Sequence, residues 1–142
     1  PAPDAQKHTG SVWTDYAGIP GSPTLLPYLF SEGYQKKRIS LRRFLQVVAE
    51  NAAKRYGIFN RKGSVDVGKD ADLAIIDPRE KWQVKGKNLY SRGSITPFEG
   101  MEMHGRIKFT ILRGTIIYED GQGITGKPGY GKLISPKRGY PL

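Results

Sequence analysis

The sequence predicts an α/β chain that is incomplete by itself, two helices followed by part of a β-sheet. Three observations carry this. Residues 24–57 space their apolar side chains as helices do. From residue 58 the chain breaks into short strands punctuated by Gly. The 142 residues fit one domain of ordinary size, yet about four strands with apolar faces need a partner sheet or a helix layer to close over them.

Residues 1–23 are rich in Gly, Pro and small residues, and Ala17-Gly18-Ile19-Pro20-Gly21-Ser22-Pro23 reads as a loop. Two glycines around a proline suit a backbone that approaches something closely; equally, the segment is a connector on the surface. It is not a phosphate cradle, having neither GxGxxG nor a following Lys-Ser/Thr. Thr24 is expected to cap a first helix carrying Leu25, Leu26, Leu29 and Phe30, with Pro27 in its first turn and Gly33 at its end. Ser40 is expected to cap a second helix, Leu41 to Tyr56. Its Leu41, Phe44, Leu45, Val48, Ala52 and Tyr56 should form one buried stripe, and Gly57 should stop it. Beyond it, Ser64–Val67 alternates as a strand, and Leu73–Ile76 is an apolar strand ending at Asp77-Pro78. Trp82–Val84 adds another piece. Arg106 to Tyr118 reads as a hairpin: Ile107, Phe109 and Ile111 alternate, Arg113-Gly114 turns, and Ile116 and Tyr118 alternate back. Gly126–Lys132 is loop.

Composition narrows the chemistry. A hydrophobic fraction of 37% and an aromatic fraction of 11% suffice for a packed core. No apolar run approaches the roughly 20 residues that span a bilayer. Cys is absent, which removes disulfides, thiolate metal ligands and a Cys nucleophile. His8 and His104 are the two His and stand in no ligand spacing, so a complete zinc hydrolase centre cannot be assembled from this chain alone. The start, Pro1-Ala2-Pro3-Asp4, has no initiator Met and no signal-peptide core. The expectation is a cytoplasmic chain cut from something longer.

The net charge of +10 is uneven. Residues 1–31 hold one Lys against two Asp, whereas residues 32–62 hold nine basic and two acidic residues, a local +7. That stretch, around Lys36-Lys37-Arg38, Arg42-Arg43, Lys54-Arg55 and Arg61-Lys62, is either a solvated helix face or an anion-binding one. No nucleic-acid-binding motif accompanies it, so the solvated face is preferred, and salt-dependent binding of DNA or RNA would decide the matter.

Several stretches, in order, resemble the cyclic amidohydrolases. Ala17-Gly18-Ile19-Pro20-Gly21, Thr24-Leu25-Leu26-Pro27 and Glu32-Gly33 are similar to the region after that family's last catalytic strand. Glu50-Asn51-Ala52-Ala53-Lys54-Arg55-Tyr56-Gly57 is similar to its last barrel helix. Lys62-Gly63-Ser64-Val65-Asp66-Val67-Gly68-Lys69-Asp70-Ala71-Asp72-Leu73-Ala74-Ile75-Ile76-Asp77 resembles the entry into its small β-domain. Ser94-Ile95-Thr96-Pro97-Phe98-Glu99-Gly100-Met101 and Ile111-Leu112-Arg113-Gly114-Thr115-Ile116-Ile117-Tyr118 complete the resemblance, which runs from about Ala17 to Ile134.

The resemblance implies an α/β fold: the C-terminal end of a metal-dependent (β/α)8 barrel with its last helices over residues 1–60, and the C-terminal part of a small composite β-sandwich over 61–142. It implies hydrolysis of a cyclic amide by hydroxide on one or two zinc ions, which an N-terminal portion of the same enzyme would bind. Of the family, dihydroorotases are most similar, acting in pyrimidine synthesis; allantoinases come next, and hydantoinases or dihydropyrimidinases third. A non-catalytic homologue serving as a scaffold, for example beside a carbamoyltransferase, is the alternative of another class. The family's proton-shuttling Asp is expected just upstream of Pro1, with Asp4 and Asp15 as poor substitutes. His8 is the one candidate for holding a substrate carboxylate, and His104 is expected to be structural or exposed. Ala17 and Gly18 carry over as substrate-binding residues acting through their backbone. The implied partners are the N-terminal portion, a small cyclic amide and a possible second copy of the enzyme, with no membrane and no nucleic acid. By itself the chain is expected to be inactive.

Overall fold

The computed structural model describes residues 1–136. The described residues form two compact units, one from Pro1–Lys36 with Pro78–Arg106, the other from Lys37–Asp77 with residues 107–136. Four strands, β1 (Leu73–Gln83), β2 (Glu102–Leu112), β3 (Thr115–Glu119) and β4 (Gly123–Ile124), form a sheet in that order. The boundary between the units falls within β1 and β2.

The first unit begins with an irregular stretch carrying one short 3-10 turn, Asp4–Gln6. Helix α1 spans Ser22–Tyr28 and continues as a π-helical stretch, Leu29–Gln35. It starts earlier than the sequence suggests. Gly21 is its N-cap and Pro23 sits in the first turn, where a missing N–H is harmless. Thr24 is therefore not the cap. It is buried inside the helix, its hydroxyl donating to the Gly21 carbonyl at 2.9 Å. Pro27 lies inside the helix, and Gly33 does not end it, because the wider π turns carry the chain past that glycine to Gln35. The core of this unit is Val84, Leu89 and Met103, with Val84 and Met103 fully buried and Tyr28, Trp82, Phe98 and Met101 packed around them. Trp82 donates its indole N–H to the Gly105 carbonyl at 3.0 Å, which satisfies its one polar atom.

In the second unit Ser40 caps α2 (Leu41–Leu45) as expected, its hydroxyl oxygen accepting from the Arg43 N–H at 3.2 Å. A π-helical turn, Gln46–Glu50, leads into α3 (Asn51–Arg55), and Gly57 takes φ +66° just past the end. The expected stripe is corrected here. Phe44 is buried, but Leu41, Leu45 and Tyr56 are exposed, and Ala53 is buried in place of Ala52. The π turn supplies the reason: it inserts an extra residue, so the inward position after Phe44 falls one place later than 3.6-residue spacing predicts. Ser64–Val67 forms no strand, and Val65 and Val67 are exposed. β1 does not end at Asp77-Pro78 but runs on to Gln83, absorbing most of the separate strand expected at Trp82–Val84.

The hairpin is as predicted. Leu112 pairs with Thr115 and Ile111 with Ile116 around an Arg113-Gly114 turn in which both residues have positive φ, 47° and 79°. A bulge between Thr110 and Ile111 shifts the register before Tyr118 pairs with Thr110. β4 pairs Ile124 with Tyr118. Gly126–Lys132 holds no helix or strand, as expected. Among the described residues no helix is long and apolar enough to cross a membrane.

Candidate functional site

Ala17 and Gly18 lie together on an exposed loop of the first unit. Gly18 has φ +106°, a region that L side chains rarely adopt. A Cβ there would meet only the Pro1 Cα, at 4.0 Å, so the position demands glycine for its backbone conformation rather than for space. It also places Gly18 beside residue 1.

The loop that ends at Gly18 is organised by its own side chains. Tyr16 N–H donates to the Gln6 carbonyl at 3.0 Å, and the Lys7 ammonium donates to the Gly18 carbonyl. Between these ties, Asp15 accepts from the Thr9 hydroxyl and the Thr9 N–H, both at 2.7 Å. The Ser11 carbonyl accepts the N–H groups of Thr14 and Asp15 at 3.1 Å each, and the Thr9 and Thr14 hydroxyls bond to one another. Residues 6–18 thus form a compact Ω-loop with close ends and an internal polar core. Val12 and Trp13 stand at its outer turn, Trp13 being 93% exposed.

The two carboxylates are committed elsewhere. The Thr9 hydroxyl, then the Thr9 N–H, hold Asp15 below the ordinary carboxylate range. Asp4 accepts the Ser94 N–H at 2.8 Å together with the Ser94 hydroxyl, and these bonds lower it in the same way. Both are occupied in fastening loops. His8 is exposed with φ +58°. His104 donates its backbone N–H to the Ser31 hydroxyl at 3.0 Å, and its ring meets Glu102 at 3.1 Å. That contact, with Lys81 adding to it, lowers the Glu102 carboxyl.

Among the described residues no three His, Asp or Glu gather where they could hold a metal ion. The donor set of the described residues does not fit a zinc centre. Lys7 was not singled out by residue type, although it is the one basic residue among the first 31. In the basic stretch, Lys36 pairs with Glu32, Lys54 with Glu50, Arg61 with Asp70, and Lys62 with Asp70 and Asp72.

Residues 10–117 match the model of the amidohydrolase family. The allantoinase of Rubrobacter xylanophilus is 34% identical over 138 residues, which is 97% of this chain and 30% of that protein. The D-hydantoinase of Geobacillus stearothermophilus is 38% identical over 124 residues, covering 84% of this chain and 26% of its own length. The solved D-hydantoinase (dihydropyrimidinase) from Thermus sp. superposes with a TM-score of 0.89 at 32% identity, over 99% of this chain and 31% of that one. The chain therefore spans about 30% of the length of the relatives it matches. With the family's sequence pattern across most of its length and the same backbone arrangement in a solved relative, the chain belongs to the amidohydrolase family.

Proposed function

We propose that this chain supplies the C-terminal part of a metal-dependent hydrolase of cyclic amides, in which the backbone of Ala17 and Gly18 lines the substrate pocket. Residues 1–60 would close the end of a (β/α)8 barrel, and residues 61–142 would contribute to a composite β-sandwich. The metal, zinc by family resemblance, would be held by residues outside this chain. The observation that carries the reading is Gly18, a left-handed glycine in a self-fastened loop beside Pro1. The family resemblance expects the proton-shuttling Asp just before that residue, so the loop would sit next to the chemistry.

A cyclic amide offers a ring N–H and ring carbonyls, and exposed backbone supplies the complementary carbonyl and N–H groups without a side chain. At the C-terminal face of a barrel, loops of this kind are the usual place for such contacts. The sequence motifs put dihydroorotate first among substrates. The relatives are named allantoinase, hydantoinase and dihydropyrimidinase, which favours the alternative, and we place hydantoin-, allantoin- and dihydropyrimidine-type rings ahead of dihydroorotate.

The test is a substrate panel. The full-length protein, supplied with zinc, is assayed for ring opening of hydantoin, allantoin, dihydrouracil and dihydroorotate. Turnover of one of the first three is expected, whereas turnover of dihydroorotate alone would restore the first-ranked substrate. A protein that opens none of the four rings would sink the reading and favour a scaffold.

A further inference from the structure

We infer that Lys7 is a positioning residue for the substrate loop, acting through the carbonyl of Gly18. This rests on the reading of Ala17 and Gly18 as substrate-binding. The ammonium of Lys7 donates to the Gly18 carbonyl across eleven residues of sequence. The adjacent bond from Tyr16 N–H to the Gln6 carbonyl pins the same two ends of the loop a second time. His8, directly after Lys7, takes a left-handed φ of +58°, a strained choice for a non-glycine residue. Such a conformation persists only where surrounding bonds over-determine it, as the Lys7, Thr9 and Tyr16 bonds do here.

The consequence is geometric. Glycine at φ +106° has no side chain of its own to fix its peptide. Holding its carbonyl fixes the plane of the peptide between Gly18 and Ile19. That peptide is trans, since no described residue follows a cis bond, so its N–H points opposite to its C=O. The Lys7 bond therefore aims the Ile19 N–H away from Lys7, ready to donate to a ring carbonyl. A carbonyl oxygen has two lone pairs, so Gly18 keeps a second acceptor site beside the one Lys7 fills. A bond from a partly exposed Lys contributes little to stability. Orientation of the loop is what it can provide.

The full-length protein is compared with its Lys7→Met and Lys7→Arg variants by three readouts: hydrogen exchange of the peptide covering residues 16–21, thermal midpoint, and kinetics on the best ring substrate of the panel. Lys7→Met is expected to speed exchange in that peptide, leave the midpoint unchanged, and raise KM about tenfold with little change in kcat, as loss of binding shared by ground state and transition state does. Lys7→Arg, which keeps a cationic donor, should recover most of both effects. Unchanged exchange in Lys7→Met would overturn the tether, whatever the activity. Faster exchange with kcat/KM within about twofold of the parent would overturn the positioning role while leaving the proposed function standing. A parent protein that opens no ring would remove the proposed function and the positioning role with it.

Discussion

Gly86 offers the sharpest test of how the first unit is packed. It opens the short 3-10 turn Gly86–Asn88, is buried, and donates its N–H to the Glu99 carboxylate at 2.6 Å. A Cβ built there would stand 1.7 Å from the Ser94 carbonyl oxygen, 2.8 Å from that carbonyl carbon and 3.1 Å from Glu99 Oε2. Comfortable non-bonded contact is about 3.5 Å, so the two backbones would have to separate by well over an ångström. The obstacle is main chain rather than the end of a flexible side chain, and Ser94 is fastened on its other side by the Asp4 carboxylate. Overpacking a core typically costs about 1–3 kcal/mol, and a collision of this depth belongs at or beyond the upper figure, about 3 kcal/mol for Gly86→Ala. The natural control is Gly114→Ala. Gly114 has open space around its Cβ position but φ +79°, so it bears the conformational cost alone, about 1–2 kcal/mol. Urea unfolding measures both, followed by tryptophan fluorescence for Gly86→Ala, since Trp82 packs against the core of the same unit, and by far-UV circular dichroism for Gly114→Ala, which lies in the hairpin of the second unit. If Gly86→Ala unfolds no more easily than Gly114→Ala, the close approach of residues 86 and 94 is wrong.

Two further outcomes are expected. Met103 is fully buried against Val84 and Leu89, so Met103→Ala should lose about 2–5 kcal/mol in the same unfolding assay. Met103→Leu should lose less than about 1.5 kcal/mol; equal losses would mean that packing volume is not what Met103 provides. In the second unit, burial alone would lower Lys62, but its hydrogen bonds to Asp70 and Asp72 outweigh burial and hold it above its usual 10.5. Asp70 is held below 3.8, first by the Lys62 hydrogen bond and further by its charge and that of Arg61, against a smaller opposing effect of desolvation. A raised cation stabilises below its unfolded pKa and loses that contribution as pH climbs through the folded value. A lowered carboxylate stabilises above its unfolded pKa and loses it as pH falls through the folded value. Protection of the Asp70 amide, which donates to the Arg61 carbonyl at 3.0 Å, should therefore be flat between about pH 4 and 10 and decline on both sides. A steady change across neutral pH would refute this.

Legibility in the sequence followed how local each signal is. The Ser40 cap, the Gly57 stop and the Arg113-Gly114 turn are set by one or two residues whose chemistry leaves few choices, and each stands as read. The stripe on residues 41–56 failed for a reason periodicity cannot contain. One π turn rotates everything after it, moving burial from Ala52 to Ala53. Ser64–Val67 alternates like a strand but lacks a ladder, because Ser64 and Asp66 are drawn into local bonds with Lys69. β1 passes through Asp77-Pro78 because Pro removes one N–H without forbidding extended backbone.

The candidate site was legible only in outline, since the contacts proposed for it are made by main chain. A catalytic carboxylate or a metal-binding His declares itself by residue type. A backbone donor declares itself at most through the glycine that permits its conformation, and what singles out Ala17 and Gly18 in the sequence is the family resemblance. What fixes the backbone around them is not visible. Lys7 is one of 23 basic residues, and its significance comes from the eleven-residue return of the chain that brings Gly18 to its ammonium. Asp4 and Asp15 show the converse. Their residue type invites a catalytic role, yet the structure spends both carboxylates on Ser94 and Thr9. A carboxylate already accepting two or three hydrogen bonds has its pKa lowered and is a poor proton carrier near neutral pH. In the fold Asp4 fastens the chain start to Ser94, and Asp15 fastens the 6–18 loop to Thr9.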